Sequence, residues 1–259
     1  MKIARLSVPA STHMLQELGF TVRRADGGLH GRATVTPHMH VPGTGLLRTS
    51  VLASWADMVC GLLAARTMTG RVPVTLELDV HLYRPAPGAG TVTAAGRTVK
   101  AGRSVFVAET EFRDDRGETF AFGTGSFMAA PDTTLTMPTL TSIDSLPPAP
   151  ALAMPLAERA GCERPRPGVA LLPRSGDGMN ASNTVNGGLI ALAAEEAVLS
   201  LLPGQTLCSL HLRYLQPVRV GPAVATASVR AGLGRVDVRD SGRDDRLSVT
   251  ATARAFPCG

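Results

Sequence analysis

Two stretches of this chain carry apolar and small residues at helical spacing, and both also contain an acid. The first predicted helix covers residues 46–68, where large apolar side chains recur every three or four positions along one stripe. The second covers residues 187–202 and ends before Pro203. Asp57 lies on the small-residue face of the first helix, and Glu195 lies off the apolar stripe of the second. A lone acid on a small, uncharged face favours a functional role over simple solvation.

Runs of alternating apolar and polar residues follow each helix and predict antiparallel strands. Residues 74–83 alternate strictly, and three further strand-like runs reach residue 128 with short turns between them. After the second helix a similar succession continues to residue 256. A strand-like run also precedes each helix, at 28–40 and at 169–172. The order strand, helix and antiparallel meander therefore occurs twice.

A segment rich in Pro, Thr and Ser separates the two patterns, and its composition is typical of a semi-extended linker. The segments on either side share short motifs. LHLRYLQP in the second half resembles DVHLYRP in the first, and a Gly-Arg pair lies 17 residues past each of the matching Pro residues. Such similarity indicates a duplicated unit, and two copies can pair as the halves of a homodimer do. The predicted organisation is an N-terminal unit at 1–130, a linker at 131–165 and a C-terminal unit at 166–259.

Composition and charge narrow the class of protein. In 259 residues, 44% hydrophobic and 18% charged content describe an ordinary folded chain. The net charge of +5 comes from scattered basic residues, so no nucleic-acid partner is expected, and no apolar run is long enough to predict a membrane span. The start lacks the sustained apolar core of a signal peptide, and four cysteines without metal-ligand spacing (Cys60, Cys162, Cys208 and Cys258) fit free thiols. We therefore expect a cytoplasmic protein without a membrane or nucleic-acid partner.

The stretch MNASNTVNGGLIALAAEEAVLSLL contains groups suited to carbonyl chemistry. Asn180 opens a polar loop, and a glycine pair, Gly187 and Gly188, stands at the start of the second helix. Glu195 lies two turns further along. Free N–H groups at a helix start can hold a carbonyl oxygen, and a carboxylate can activate a water. A purely structural interpretation also fits, with Asn as a turn or cap residue and Glu195 on a solvent-exposed helix face.

These elements and motifs together resemble the hotdog fold, and in particular the PaaI-like acyl-CoA thioesterases. SWADMVCG around Asp57 is similar to the family's helix around its acid, and NASNTVNGGLIALAAEE is similar to its polar loop, glycine turn and acid-bearing helix. Residues 74–127 look like the family's sheet almost from end to end. The resemblance implies an α+β fold of two tandem hotdog units, each a long helix wrapped by an antiparallel sheet, paired as a pseudo-dimer (a double hotdog).

The resemblance also assigns candidate site residues, one position at a time. The family's Asn falls on Asn180, its glycine pair on Gly187 and Gly188, and a hydroxyl that some members place near the acid falls on Thr75. The family's acid falls on Asp57 in the first half and on Glu195 in the second. The candidate catalytic residues are therefore Asp57, Thr75, Asn180, Gly187, Gly188 and Glu195.

The chain departs from the family pattern in both halves. Asn186 replaces the family's usual His, and the matching loop of the first half, residues 42–50, has Pro, Thr and Ser where Asn and the two Gly are expected. In the family, each site joins the loop of one unit to the acid of the other. One intact site is therefore implied, between Asp57 and the loop of the second half. The reverse site, between Glu195 and residues 42–50, is expected to have lost its catalytic function or to serve another one.

The reaction implied is hydrolysis of acyl-CoA or acyl-carrier thioesters. The N–H of Gly187, with that of Gly188 as a second candidate, would polarise the thioester carbonyl. Asp57 would act as a general base on water or as a nucleophile through an anhydride, and we expect burial to raise its pKa. No metal or prosthetic group is expected, with coenzyme A as part of the substrate. The partner is a small-molecule acyl thioester, and further pairing of the pseudo-dimer into a homo-oligomer stays open.

Two other functions fit parts of the sequence. The degenerate loop of the first half and the missing His at Asn186 also suit a non-catalytic acyl-CoA binding module. A hotdog dehydratase or hydratase would need a His beside an acid at the helix start. His81 and His211 instead fall on predicted strands, so this third function has the weakest support.

Overall fold

The chain folds into an antiparallel sheet with two long helices on one of its faces. Its structure, a computed structural model, describes residues 13–68, 70–135 and 150–256. In the first half the elements are β1 (Thr21–Ala25), β2 (Gly28–Thr34), α1 (Thr49–Thr67), β3 (Pro73–Leu82), β4 (Thr91–Ala101), β5 (Phe106–Arg113) and β6 (Thr119–Ala129). In the second half they are α2 (Leu156–Arg159), β7 (Glu163–Arg166), β8 (Val169–Leu172), α3 (Gly187–Leu199), β9 (Leu207–Tyr214), β10 (Ala223–Arg230), β11 (Leu233–Asp240) and β12 (Arg246–Ala255).

Twelve strands of the described residues form one sheet, and its two halves repeat the same succession. The order is β1-β2-β4-β5-β6-β3 in the first half and β9-β12-β11-β10-β8-β7 in the second, with β3 and β9 hydrogen-bonded at the centre. In each half, the strand at the centre of the sheet is the one that follows the long helix in sequence. This strand is β3 after α1 and β9 after α3. The α+β organisation predicted from the sequence is therefore observed.

The boundaries of the predicted units stay predictions. Residues 136–149 of the expected linker lie outside the described residues. β7 spans Glu163–Arg166, so the expected boundary at 165 falls within an edge strand. Ahead of β7, the short helix α2 (Leu156–Arg159) lies within the expected linker.

The central strands have one face toward the helices and one toward solvent. Leu78 and Leu212, a cross-strand pair, are fully buried, whereas the neighbouring pair Asp79 and His211 is only half-buried. Successive side chains of a strand point to opposite faces, so the half-buried pair lies on the outer face. In the repeated motifs, His211 takes the position that Asp79 has in the first half. The matching positions of the two repeated motifs therefore lie opposite each other at this pair.

Both long helices are buried over most of their circumference. Every residue of α3 after Gly187 is buried, and Trp55 of α1 stacks on Phe20 with ring centroids 5.0 Å apart. The two helices pack against each other as well as against the sheet. The helix face that would be exposed to solvent in an ordinary amphipathic helix is therefore also in contact, and small residues allow that contact. None of the described helices combines the length and the hydropathy needed to cross a bilayer.

Two strands were missing from the sequence-based prediction. β1 pairs with β2 in a hairpin, and β7 pairs with β8, so both are edge strands. Their sequences, TVRRA and ERPR, are mostly polar because little of either strand faces the core. Alternation of apolar residues, the signal used for strands, is therefore absent from them.

A 3₁₀ turn near the N-terminus, Met14–Leu18, covers the loop that leads to α3. Arg159 Nη2 lies 2.5 Å from Glu17 Oε1 and 2.7 Å from Asp177 Oδ2, so one guanidinium joins the turn to that loop. Met14 and Leu18 are buried beneath it. The turn and the loop before α3 are thereby linked through Arg159.

Candidate active site

Asp57 lies in the middle of α1 and is hydrogen-bonded by a strand residue. Thr75 Oγ1 donates to Asp57 Oδ1 at 2.9 Å. Strict alternation along β3 would place Thr75 on the outer face with Glu77, but the register of β3 shifts between these two residues. The shift sets Thr75 opposite the buried Phe127, on the helix side of the sheet. A β-bulge therefore brings the hydroxyl to the acid.

The surroundings of Asp57 change its acidity. Burial raises its pKa to about 6, and the hydrogen bond from Thr75 lowers it by a smaller amount. The direction is the one expected from the sequence. A carboxyl group with this pKa is mostly ionised at neutral pH and is more basic than an ordinary aspartate, which suits a general base.

The start of α3 carries the donor that a carbonyl oxygen would need. Asn186 is the N-cap, and its Oδ1 accepts a hydrogen bond from Gly188 N at 2.8 Å. Within the part of the chain that the structure describes, Gly187 N has no acceptor. Of the two candidate donors, only the Gly187 N–H is therefore available.

Close contact between the helices sets this start beside the acid-bearing helix. A Cβ added at Gly188 would lie 2.3 Å from Ser54 Oγ and 2.9 Å from Ser54 Cβ. Ser54 stands one turn before Asp57 on the same helix. Only glycine at position 188 allows this approach, so the glycine pair serves the helix crossing as well as the helix start.

Tyr214 joins the two parts of the site and was missed by the sequence analysis. Its hydroxyl donates to Gly187 O at 2.9 Å, and a Cβ added at the same glycine would lie 3.3 Å from Cζ of its ring. Burial, and then the nearby charge of Asp57, raise the pKa of Tyr214 well above its usual value. Its position could have been noticed, because the repeated motif has Leu82 at the matching place and Tyr is scarce in this chain.

The side chain of Asn180 makes its hydrogen bonds within its own loop and not with Asp57. Its Oδ1 accepts hydrogen bonds from Ser182 N at 2.9 Å, from Thr184 N at 3.2 Å and from Thr184 Oγ1 at 3.0 Å. These bonds close the loop ahead of α3. Among the described residues the structure does not bring Asn180 into hydrogen-bond contact with Asp57, and a role in orienting water or acid stays a prediction.

Glu195 is placed at the start of the other helix. Its Oε1 accepts from Thr49 N at 2.8 Å and from Ser50 N at 3.3 Å, and its Oε2 accepts from Ser50 Oγ at 2.6 Å. These two backbone N–H groups match those of the glycine pair in α3. The acid itself therefore occupies the helix start where a carbonyl oxygen would have to bind.

A buried ion cluster surrounds Glu195. Arg48 Nη1 lies 3.2 Å from Glu195 Oε2 and 2.5 Å from Glu196 Oε1, and Arg164 Nε pairs with the other oxygen of Glu196. Burial lowers the pKa of Arg48, but the charges of Glu195 and Glu196 outweigh it and raise that pKa above its usual value. The two acids are 0% and 3% exposed. The interpretation of Glu195 as a residue of a solvent-exposed helix face is therefore wrong.

The two pseudo-equivalent sites have diverged at matching positions. Aligning the helix starts sets Asp57 against Glu195 and Asn186 against Arg48. Asp57, the shorter of the two acids, accepts a hydrogen bond from Thr75. Among the described residues it makes no hydrogen bond to the start of α3. We call these the Asp57 site and the Glu195 site. The helix start of the Asp57 site is open, because Gly187 N has no acceptor among the described residues, and that of the Glu195 site is closed by the Glu195 carboxylate.

The histidines considered for a dehydratase lie elsewhere. His211 Nδ1 is 3.4 Å from Asp79 Oδ1, and the rings of His81 and His211 meet edge to face at 4.5 Å. All three residues are on the outer face of the sheet, opposite the helices. The structure therefore places neither His81 nor His211 beside Asp57 at the start of α3.

Comparison with known structures identifies the class of fold. An acyl-ACP thioesterase of Bacteroides thetaiotaomicron superposes with a TM-score of 0.61 at 14% identity, over 88% of this chain and 97% of the other. A provisionally assigned oleoyl thioesterase of Lactobacillus plantarum superposes with a TM-score of 0.62 at 15% identity, over 94% of this chain and 100% of the other. At these identities the likeness shows the fold alone, which is the hotdog fold.

Sequence comparison adds a match within the first half of the chain. Residues 45–121 match the family model of the thioesterase superfamily. The matched region contains Asp57 and Thr75. A search among curated proteins finds no significant match.

Proposed function

We propose that this protein hydrolyses acyl thioesters of coenzyme A or of an acyl carrier, at the Asp57 site. The observation that supports it most directly is a helix-start N–H without an acceptor among the described residues, that of Gly187, beside a helix whose half-buried acid, Asp57, has a raised pKa. The superfamily match and the names of the structural neighbours point to the same chemistry. The Glu195 site contributes no second centre because its acid fills the helix start.

The proposed reaction uses groups of the chain and a water. The thioester oxygen accepts from Gly187 N, where the dipole of α3 also favours developing negative charge. Asp57 takes a proton from water as the water oxygen attacks the carbonyl carbon. The C–S bond then breaks, and the proton passes to the leaving thiolate. In the other route Asp57 attacks the carbon directly and the C–S bond breaks, giving an anhydride and a thiolate. Water then cleaves the anhydride, which releases the acid and regenerates the Asp57 carboxylate, and the proton set free passes to the thiolate.

Further expectations follow from this proposal. The reaction requires no metal or prosthetic group, and coenzyme A enters only as part of the substrate. A cytoplasmic location would place the protein with such thioesters. A homo-oligomer built from the double unit is compatible with the mechanism, since every residue proposed for the Asp57 site belongs to one chain.

Thiol release from a panel of acyl-CoA and acyl-carrier substrates tests the proposal. The wild type is expected to release thiol, whereas Asp57→Asn, which keeps the size of the side chain, is expected to lose about 10²- to 10⁴-fold in rate. Asp79→Asn, an acid on the outer face, is the matched control and is expected to keep its activity. A folded wild type that binds acyl-CoA without releasing thiol would replace the proposal with a binding module.

A further inference from the structure

The hydroxyl of Tyr214 has one proton, and that proton is already committed. A backbone carbonyl can only accept, so the 2.9 Å contact with Gly187 O makes Tyr214 the donor. The oxygen of Tyr214 keeps its lone pairs as an acceptor. Fixed in this way, the side chain offers a hydrogen-bond acceptor beside the helix start that carries the free N–H.

Tyr214 and Thr75 approach the acid from adjacent strands. Glu77 of β3 stands opposite Arg213 of β9, so Thr75 and Tyr214 lie at the same end of this central strand pair. Both are on the helix side, Thr75 because of the β-bulge and Tyr214 by alternation from the buried Leu212. Thr75 contacts Asp57 directly.

We infer that Tyr214 positions the attacking water of the proposed thioesterase reaction. The water donates one hydrogen to the Asp57 carboxylate and the other to the oxygen of Tyr214, so its lone pair points to the carbonyl carbon. On attack the C–O bond forms, Asp57 receives the proton, the C–S bond breaks, and that proton neutralises the thiolate. The proton of Tyr214 stays on its bond to Gly187 O throughout. This role rests on the proposed function of the Asp57 site.

The internal repeat gives a comparison within the same chain. At the position that matches Tyr214, the first half has Leu82, which has no hydroxyl. Leu82 belongs to the half whose helix start is filled by Glu195. A hydroxyl is therefore present in the half whose helix-start N–H has no acceptor among the described residues, and absent in the half whose helix start is filled by Glu195.

Tyr214→Phe tests this role because it removes the oxygen and keeps the ring that lies against Gly187. Its matched control is Tyr83→Phe, which changes the only other tyrosine of the chain, 68% exposed on the outer face. We expect kcat of Tyr214→Phe to fall about 10- to 100-fold, the effect of misplacing a reacting group. Its affinity for a non-hydrolysable thioether analogue of acyl-CoA should stay within about twofold of wild type, and Tyr83→Phe should match wild type in both.

Other outcomes would overturn the inference in distinct ways. An unchanged kcat in Tyr214→Phe, with an active wild type, would remove Tyr214 from the reaction and leave the proposed function standing. A fall in kcat matched by lost analogue affinity and a lower Tm would make Tyr214 a merely structural residue. Absence of thiol release from the wild type and from both variants would overturn the proposed function and this role together.

Discussion

Glu195 Oε1 lies 2.8 Å from the backbone nitrogen of Thr49, so the acid of the second helix closes the start of the first. The matching acid of the first helix, Asp57, is one methylene shorter and is hydrogen-bonded by Thr75 instead. A single chain thus shows one helix start filled by a carboxylate and one left open. Retained acids at both positions therefore have different roles, one in stability and one proposed for catalysis.

Removing Glu195 should affect stability more than turnover. In Glu195→Ala the helix start of α1 loses its acceptor and Arg48 loses one of its two buried partners, so the free energy of unfolding should fall by about 3–5 kcal/mol. Urea unfolding measures this, and kcat at a temperature where the variant is folded should stay near wild type. Glu109→Ala, which breaks the exposed pair with Arg97, is the control and should cost about 1 kcal/mol or less. A large fall in kcat in the folded variant would contradict the division of roles.

Adding one methyl group at the helix crossing should disturb the site. In Gly188→Ala the new Cβ would lie 2.3 Å from Ser54 Oγ, so the helices must separate or Ser54 must move. We expect a loss of about 1–3 kcal/mol in stability and reduced kcat. Ser54→Gly in the same chain removes both clashing atoms and should restore part of the loss. A double-mutant cycle on unfolding free energy and kcat measures the coupling, and strict additivity would show that the two residues do not meet.

Activity should depend on pH through Asp57. Because its ionised form is required and its pKa is about 6, kcat/KM should be level above about pH 7 and fall about tenfold per unit well below pH 6. Thr75→Val removes a hydrogen bond that lowers this pKa, so the acid limb should move to higher pH. Thr124→Val, on the outer face of β6, should leave the profile unchanged. An acid limb centred near the ordinary aspartate value would show that another group controls the rate.

The raised pKa of Asp57 also predicts a cost in stability at neutral pH. The folded state holds the proton more tightly than the unfolded chain, whose carboxyl has the ordinary value of 3.8. The stabilising contribution is therefore complete below about pH 4 and is lost as the pH rises through about 6. Since the carboxyl is partly exposed, we expect Asp57→Asn to raise the free energy of unfolding by about 2 kcal/mol at pH 7.5 relative to its effect at pH 4. Equal effects at both pH values would contradict the burial of a charged Asp57.

The sequence by itself determined the elements and the repeat. Spacing of apolar and small residues predicted the two helices within a few residues of Thr49–Thr67 and Gly187–Leu199, and alternation predicted the inner strands. The acids and the glycine pair could be found because they interrupt these regular patterns. Such patterns are local, since each reflects which side of one helix or strand faces the core.

Tertiary structure alone decided which of these groups meet. The contact between Glu195 and Thr49 spans 146 residues of sequence, and that between Thr75 and Asp57 depends on a register shift that alternation cannot show. Tyr214 joins the site only because β3 and β9 pair at the centre of the sheet. Hydrogen bonds of this kind depend on how distant elements pack, and one methylene or one shifted residue changes the partner. The same acid position in two copies of one unit could therefore become an open site in one half and a closed one in the other.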